Sequence, residues 1–437
     1  MPPKHLGYLG TATIQQADVI TELSCAFYSS DEKPPSWSGR YWDPAPGVVL
    51  HAGRARLRLH DATDADVEIV RAGPHSGTFR VVGALRDLRE RPAYPAAVFP
   101  WESDWHGRLE QRTLESNALR GNPLGDPHVR PVYVYVPPGY DDEPERRYPS
   151  VYVIQGLTGQ VDMWLARERW GARNYPELAD ELFASGAPPC LVVFVDAWTR
   201  YGGSQYVDSA AVGRYHTYLC DEVVPWVDTE YRTLAAPEHR GIQGKSSGGY
   251  GAQITPMLRP DLFGALASHA GDSLFEYCFL PEFPAAARAL AREYDGSPAR
   301  FWDDFWSRRP HDKPTDMPLV GVLSMAACYS PNEDGSYELP FELPSGRVRE
   351  DVWASWLEWD PVRMVPRYAE ALQGLRGIYL DAGTRDEFFL DVGAGAMHEA
   401  LGAVGVKAWF ELFEGGHFGI DHRYPIGLRF LVEKLAP

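Results

Sequence analysis

The chain has 437 residues, 44% hydrophobic and 23% charged, enough to bury a large core in one big domain with a smaller one beside it. A formal net charge of −18 argues against nucleic acid as a partner, because phosphate binding needs a basic face, and no apolar run reaches the length of a membrane span. The five cysteines (Cys25, Cys190, Cys220, Cys278, Cys328) are scattered without a C-x-x-C pair, so neither a zinc site nor a disulfide framework is expected. The opening Met1-Pro2-Pro3-Lys4-His5-Leu6-Gly7 lacks the apolar core of a signal peptide, which reads as a cytoplasmic protein with buried free thiols.

Residues 1–103 read as a β-rich accessory domain. Pro34-Pro35-Ser36-Trp37-Ser38-Gly39 is punctuated as a loop. Arg54-Ala55-Arg56-Leu57-Arg58-Leu59-His60 then alternates strictly, placing Ala55, Leu57 and Leu59 on one strand face and the arginines on a solvated one. Partner strands are expected at Val67-Glu68-Ile69-Val70 and Thr78-Phe79-Arg80-Val81-Val82, on either side of turn formers.

From residue 104 to 437 strands and helices alternate, the pattern of an α/β protein with a mainly parallel sheet and helices on both faces. Strands are expected at Val132–Val136, Ser150–Ile154 and Cys190–Val195, with a helix around Pro176 to Ala184. A long amphipathic helix from Ala210 to Val227 is expected next, then the strand before Ser246 and an apolar strand from Leu262 to Ser268. Residues 273–360 break the rhythm with Trp302, Trp306, Trp353, Trp356 and Trp359, and read as a Trp-rich, cap-like insertion. Alternation resumes at Gly377-Ile378-Tyr379-Leu380-Asp381, with a helix through Met397 to Leu401, a strand from Lys407 to Phe413 and a closing helix from Tyr424.

Gly244-Lys245-Ser246-Ser247-Gly248 matches G-x-S-x-G between a strand and a helix. With 41 glycines in the chain, chance alone yields such a motif in roughly one chain in five, so the context has to carry it. A sharp turn at Ser246 needs glycine two residues before and after, and centring on Ser247 would put Lys245 in the first of these places. Ser246 is therefore the candidate nucleophile, and the N–H of Ser247 a candidate oxyanion donor. A serine hydroxyl needs a histidine base oriented by an acid, and here the expected chain order is Ser, acid, His. Asp386 follows the Ile378–Asp381 strand and His417 follows the last strand, so all three fall at one edge of a parallel sheet. Asp272 is the rival acid, and His422 and His269 are the rival bases. The second oxyanion donor is expected from Leu157, with Gly156 beside it.

Val134-Tyr135-Val136-Pro137-Pro138-Gly139-Tyr140, Gln155-Gly156-Leu157-Thr158, Gly202-Gly203-Ser204-Gln205-Tyr206, the Ser246 motif through Ala252, Gly383-Thr384-Arg385-Asp386 and Gly415-Gly416-His417 form a set. Over about three quarters of the chain this set resembles the putative-esterase family of α/β-hydrolases. That family includes S-formylglutathione hydrolase (esterase D), enterochelin-esterase-like enzymes, feruloyl esterase domains and mycolyltransferases. The resemblance implies an α/β-hydrolase fold, a Ser246–His417–Asp386 triad and oxyanion donors at Leu157 and Ser247. Lys245 stands where the family often has histidine, and Gly159 where the esterase D branch has cysteine, which points towards the enterochelin-esterase-like branch.

The expected activity is hydrolysis of a small-molecule carboxylic ester through an acyl-enzyme, with no metal or cofactor. Acyl transfer to an alcohol on the same triad, and a non-catalytic binding protein on the same fold, are the alternatives. Gln155, Trp164, Trp198, Tyr206, His269 and Trp356 are the candidate substrate-binding side chains, chosen as polar or aromatic residues near the edge loops and in the insertion. Whether the chain forms a homo-oligomer is open.

Overall fold

The computed structural model describes residues 5–16, 19–29, 37–42, 50–59, 64–72, 76–82, 105–167 and 173–437. The chain forms two compact units, Met1–Glu102 and Ser103–Pro437. The expected boundary at 103–104 lies outside the described residues, as does the Pro34–Ser36 part of the expected loop.

The first unit is a closed six-stranded barrel. Its strands are β1 (His5–Gln16), β2 (Val19–Ser29), β3 (Trp37–Trp42), β4 (Gly53–Leu59), β5 (Asp64–Ala72) and β6 (Ser76–Val81), in the order β1-β2-β3-β6-β5-β4. All neighbours are antiparallel, and β4 closes back onto β1. Period-two alternation supplies its interior: Ile14, Ala55, Leu57, Val67, Ile69 and Phe79 are buried, whereas Arg54 and Arg56 are exposed.

The second unit is built on an eight-stranded sheet. Its strands are β7 (Arg108–Glu115), β8 (Val129–Val136), β9 (Ser150–Ile154), β10 (Leu191–Val195), β13 (Arg240–Lys245), β14 (Ala265–His269), β15 (Gly377–Gly383) and β16 (Trp409–Phe413). The order is β16-β15-β14-β13-β9-β10-β8-β7. The six strands from β16 to β10 are mutually parallel, and β8 and β7 are added antiparallel at one edge.

Alternation along each parallel strand divides the core in two. Leu191, Val193 and Val195 of β10, with Tyr152 and Ile154 of β9, enter one apolar cluster, while Val192, Phe194, Val151 and Val153 enter the other. The second cluster is covered by α1 (Tyr175–Ala184) and α13 (Tyr424–Leu435). The first is covered by α3 (Val224–Glu230), α4 (Ser247–Leu258) and α12 (Leu390–Ala403).

One expectation is corrected. The single helix from Ala210 to Val227 is instead a small antiparallel pair, β11 (Asp208–Ser209) and β12 (Gly213–Arg214), followed by α2 (Tyr215–Thr217), a π-helical stretch and α3. Gly213 sits at φ 138°, which a helix cannot hold. The insertion over 273–360 is mainly helical: α5 (Phe275–Cys278), α6 (Phe283–Glu293), α7 (Pro298–Ser307), α8 (Asp316–Tyr329) and α9 (Glu350–Leu357). Phe275, Phe283, Trp302 and Trp356 of this insertion are buried in the first cluster, whereas Tyr277 and Trp306 are exposed. The short α10 (Pro361–Met364) and α11 (Ala369–Gln373) then lead back to β15. Among the described residues no helix is long and apolar enough to cross a membrane.

Candidate active site

Strand β13 ends at Lys245 and α4 begins at Ser247, which leaves Ser246 alone in the turn at φ 59°, ψ −129°. Only a tightly supported turn keeps a non-glycine residue there. Its N–H donates to the His269 carbonyl at 2.9 Å, and its carbonyl accepts from Tyr250 N–H at 2.8 Å. The two flanking glycines are required by contact. A Cβ on Gly244 would lie 2.3 Å from the Gly248 carbonyl oxygen, and a Cβ on Gly248 would lie 2.3 Å from that of Ile154. Strand and helix can approach this closely only without side chains.

The loops after β15 and β16 meet at this turn. His417 Nε2 is 3.0 Å from Ser246 Oγ, and His417 Nδ1 is 2.9 Å from Asp386 Oδ2. The geometry suits a tautomer in which Nδ1–H donates to the carboxylate and Nε2 accepts from the hydroxyl. Asp386 Oδ1 is held in turn by the N–H groups of Phe388 at 2.9 Å and Leu390 at 3.4 Å. The Phe388 ring stands edge-on against the imidazole, 4.9 Å between centroids. His417 and Asp386 are 2% and 5% exposed, so the carboxylate acts on the imidazole with little screening by water. The two loops are pinned to each other by Thr384 N–H to the Phe413 carbonyl (2.8 Å) and Arg385 N–H to the Gly415 carbonyl (2.9 Å).

Strand β9 is the other neighbour of β13, and the loop after it carries Gly156 and Leu157. A Cβ on Gly156 would meet the Lys245 carbonyl oxygen at 2.9 Å and Ser246 Cβ at 3.2 Å, so this loop lies directly against the elbow. Gly156, Leu157, Gln205 and Ser247 line a cavity with room for about one water-sized group. Ser247 is the first residue of α4, where the helix supplies no acceptor for its N–H.

The remaining predicted side chains are dispersed. Trp198 is half-buried and stacks edge-on with the partly exposed Trp306, 6.2 Å between centroids. Tyr206 is buried and its hydroxyl donates to the Gln155 carbonyl at 2.8 Å. Gln155 is also buried; with its amide oriented to satisfy both ends, it donates to the Val195 carbonyl (2.5 Å) and accepts from Ala197 (2.7 Å) and Trp198 (3.1 Å) N–H. Through these bonds the two tie the start of the Gly156–Leu157 loop to the Val195–Trp198 segment and to Tyr206.

The side chains of Trp164, His269 and Trp356 are not brought to Ser246, which corrects the expectation for each. Trp164 is packed against Tyr175, Phe194 and Tyr424 in the second apolar cluster. Trp356 is fully buried among Phe279, Phe283, Tyr329 and Trp353. His269 faces α13 because β14 alternation turns it to the same side as Ala265 and Ala267. It forms a buried pair with Asp381 (2.7 Å) and contacts Gln243 (2.8 Å). Of the rivals, His422 lies edge-on to Phe413, and Asp272 contacts Ser247 rather than His417.

Sequence reasoning missed Glu387, whose Oε2 accepts the backbone N–H of His417 at 2.6 Å. It also gave no role to Lys245, whose Nζ stands 5.1 Å from the centre of the exposed Phe418 ring. Burial pulls this ammonium down to about 8, against the opposing charges of Asp386, Asp272, Asp421 and Glu387.

Residues 127–427 match the family model described as "Putative esterase". The chain belongs to this family. Among curated proteins it is similar to an endo-1,4-beta-xylanase/feruloyl esterase of Xylanibacter ruminicola, 25% identical over 43% of this chain and 25% of that one. It is also similar to the uncharacterised protein YbbA of Bacillus subtilis, 23% identical over 33% of this chain and 57% of that one. These matches span only a quarter to somewhat over half of the relatives' lengths. A solved ferulic acid esterase superposes on 76% of this chain and all of its own, with a TM-score of 0.52 at 19% identity. Sheet order, elbow and family together make the second unit an α/β-hydrolase fold.

Proposed function

We propose that this esterase-family chain is a serine carboxylic-ester hydrolase. Ser246 Oγ attacks the ester carbonyl while His417 Nε2 takes its proton, and Asp386 steadies the resulting imidazolium. The N–H groups of Leu157 and Ser247 receive the oxyanion. The tetrahedral intermediate collapses as His417 protonates the leaving alcohol, leaving an acyl group on Ser246. Water then attacks that acyl-enzyme, giving a proton to His417, which returns it to Ser246 Oγ as the acid is released.

The observation that carries this reading is the hydrogen-bonded line from Ser246 Oγ through His417 to Asp386, assembled from loops after β13, β15 and β16. The feruloyl esterase named among the relatives makes an aromatic ester the first substrate class to offer.

The test is a panel of nitrophenyl esters and methyl ferulate on wild type and Ser246→Ala, with a fluorophosphonate probe alongside. Turnover and labelling are expected in wild type and absent from the variant. Labelling that survives Ser246→Ala would sink the assignment.

A further inference from the structure

Resting on the esterase reading, the structure assigns Asp272 and Gln205 as positioning residues that hold the two oxyanion donors, Ser247 and Leu157, at a fixed separation. Asp272 lies in the loop between β14 and α5 and is 6% exposed. Among the described residues it has no ion pair, so the mechanism and the salt-bridge network both leave this buried carboxyl unused. Its Oδ2 accepts from Ser247 Oγ at 3.1 Å and from Gln205 Nε2 at 3.2 Å, and Gln205 Nε2 also donates to Ser247 Oγ at 3.1 Å. The three side chains close a triangle, and one corner is the residue whose N–H faces the oxyanion.

Gln205 carries the triangle across to the other donor. It belongs to residues 202–206, which touch the Leu157 loop three times. Thr158 N–H donates to the Gly202 carbonyl at 2.7 Å, and Tyr206 Oη donates to the Gln155 carbonyl at 2.8 Å. The glycines at 202 and 203 pass so close that a Cβ on either would meet Leu157 Cδ1 within 3.4 Å. Gln205 and Tyr206 are both left-handed, at φ 51° and 53°, a costly pair of conformations that persists only where the surroundings enforce it. Helix α8 supplies that enforcement from behind, through Met325 against the Gln205 amide and Ser324 on the Tyr201 carbonyl. One short segment thus ties both donors together, and Asp272 is its anchor on the elbow side. Donors fixed in advance at the oxyanion's position lower the barrier without reorganising during the reaction, so loosening this segment should show in kcat rather than KM.

The experiment measures kcat, KM and inhibition by a trifluoromethyl ketone, which forms a tetrahedral oxyanion adduct on serine. Rates are normalised to active sites titrated with a fluorophosphonate. Asp272→Ala and Gln205→Ala are each expected to lower kcat about 10- to 100-fold with KM within about threefold, and to weaken the ketone by a similar factor. Asp272→Asn keeps an oxygen acceptor for Ser247 and Gln205 and should recover most of the loss. The assignment is overturned if kcat and ketone affinity stay within twofold of wild type, if the loss vanishes on normalisation, or if Asn is no better than Ala. Should Asp272→Ala not fold, the Asn and Gln205 variants decide. Wild-type turnover abolished by Ser246→Ala secures the esterase reading whatever Asp272 does.

Discussion

Glu387 accepts the backbone N–H of His417 at 2.6 Å, so the residue following the candidate acid fixes the backbone of the candidate base. The contact crosses between two loops and sets the height of the imidazole over Ser246. Glu387→Ala should therefore lower kcat about 10-fold or more, because sub-ångström misplacement of a catalytic group is expensive. Gly416→Ala should do the same by another route, since its Cβ would lie 2.7 Å from Glu387 Oε1. Equal kcat in wild type and both variants would show that the loop needs no such hold.

Asp386 and Asp272 differ in what they touch, and kinetics should separate them. Asp386 meets the imidazole, whereas Asp272 meets Ser247 and Gln205. Loss of the residue that sets the base's tautomer costs about 10³- to 10⁴-fold in kcat, against about 10- to 100-fold for a lost oxyanion support. Asp386→Ala should accordingly be the far more damaging change in steady-state assays. The reverse ranking would transfer the role of acid to Asp272.

Gly248 should resist substitution for steric reasons alone. A Cβ there meets the carbonyl oxygens of Ile154 at 2.3 Å and Gln155 at 2.8 Å, both backbone atoms that cannot rotate away. Gly248→Ala should cost about 3 kcal/mol or more in urea denaturation. Gly321 in α8 is the control: nothing lies within 4 Å of a Cβ there, and alanine should stabilise the helix by about 1 kcal/mol. Similar midpoints for the two variants would contradict the contact argument.

Asp381 sits at the centre of a buried charge cluster on the α13 side of the sheet, bonded to His269 Nδ1 (2.7 Å), Arg423 Nε (2.8 Å) and Tyr379 Oη (3.0 Å). Burial pushes its carboxyl towards the neutral form, but His269 and Arg423 outweigh it and hold the group below the ordinary carboxylate range. A lowered folded-state value stabilises the fold above the unfolded value, near pH 3.9, and that contribution disappears as the pH falls through the folded value. Asp381→Asn should lose about 3–5 kcal/mol at pH 7, with the gap to wild type closing below about pH 4. Urea titrations across pH 3–7 measure this, and a gap independent of pH would remove the charge from the explanation.

Much of the second unit was legible from residue order alone. Five-residue apolar strands ending in Gly-rich loops announce a parallel sheet, and the chain order Ser246, Asp386, His417 places three chemistry-bearing residues at its carboxyl edge. The glycines at 244 and 248 were legible because a local turn demands them, whatever the rest of the chain does. Local rules also failed where a local signal was ambiguous: Ala210 to Val227 has helical composition, yet its first residues are spent on a β pair.

What only tertiary structure decided is which face each side chain serves. His269, Trp164 and Trp356 have the composition of pocket residues, but alternation along a strand assigns a side only after one knows which helices cover that side. His269 fell towards α13 and Trp164 joined the same cluster, while Trp356 closed the core of the insertion. Glu387 was invisible, and Gln205 stood in a family motif without a role, for the complementary reason. Their partners lie 30 and 42 residues away, and no periodicity in a single chain encodes a hydrogen bond between two loops that meet only when the sheet is complete.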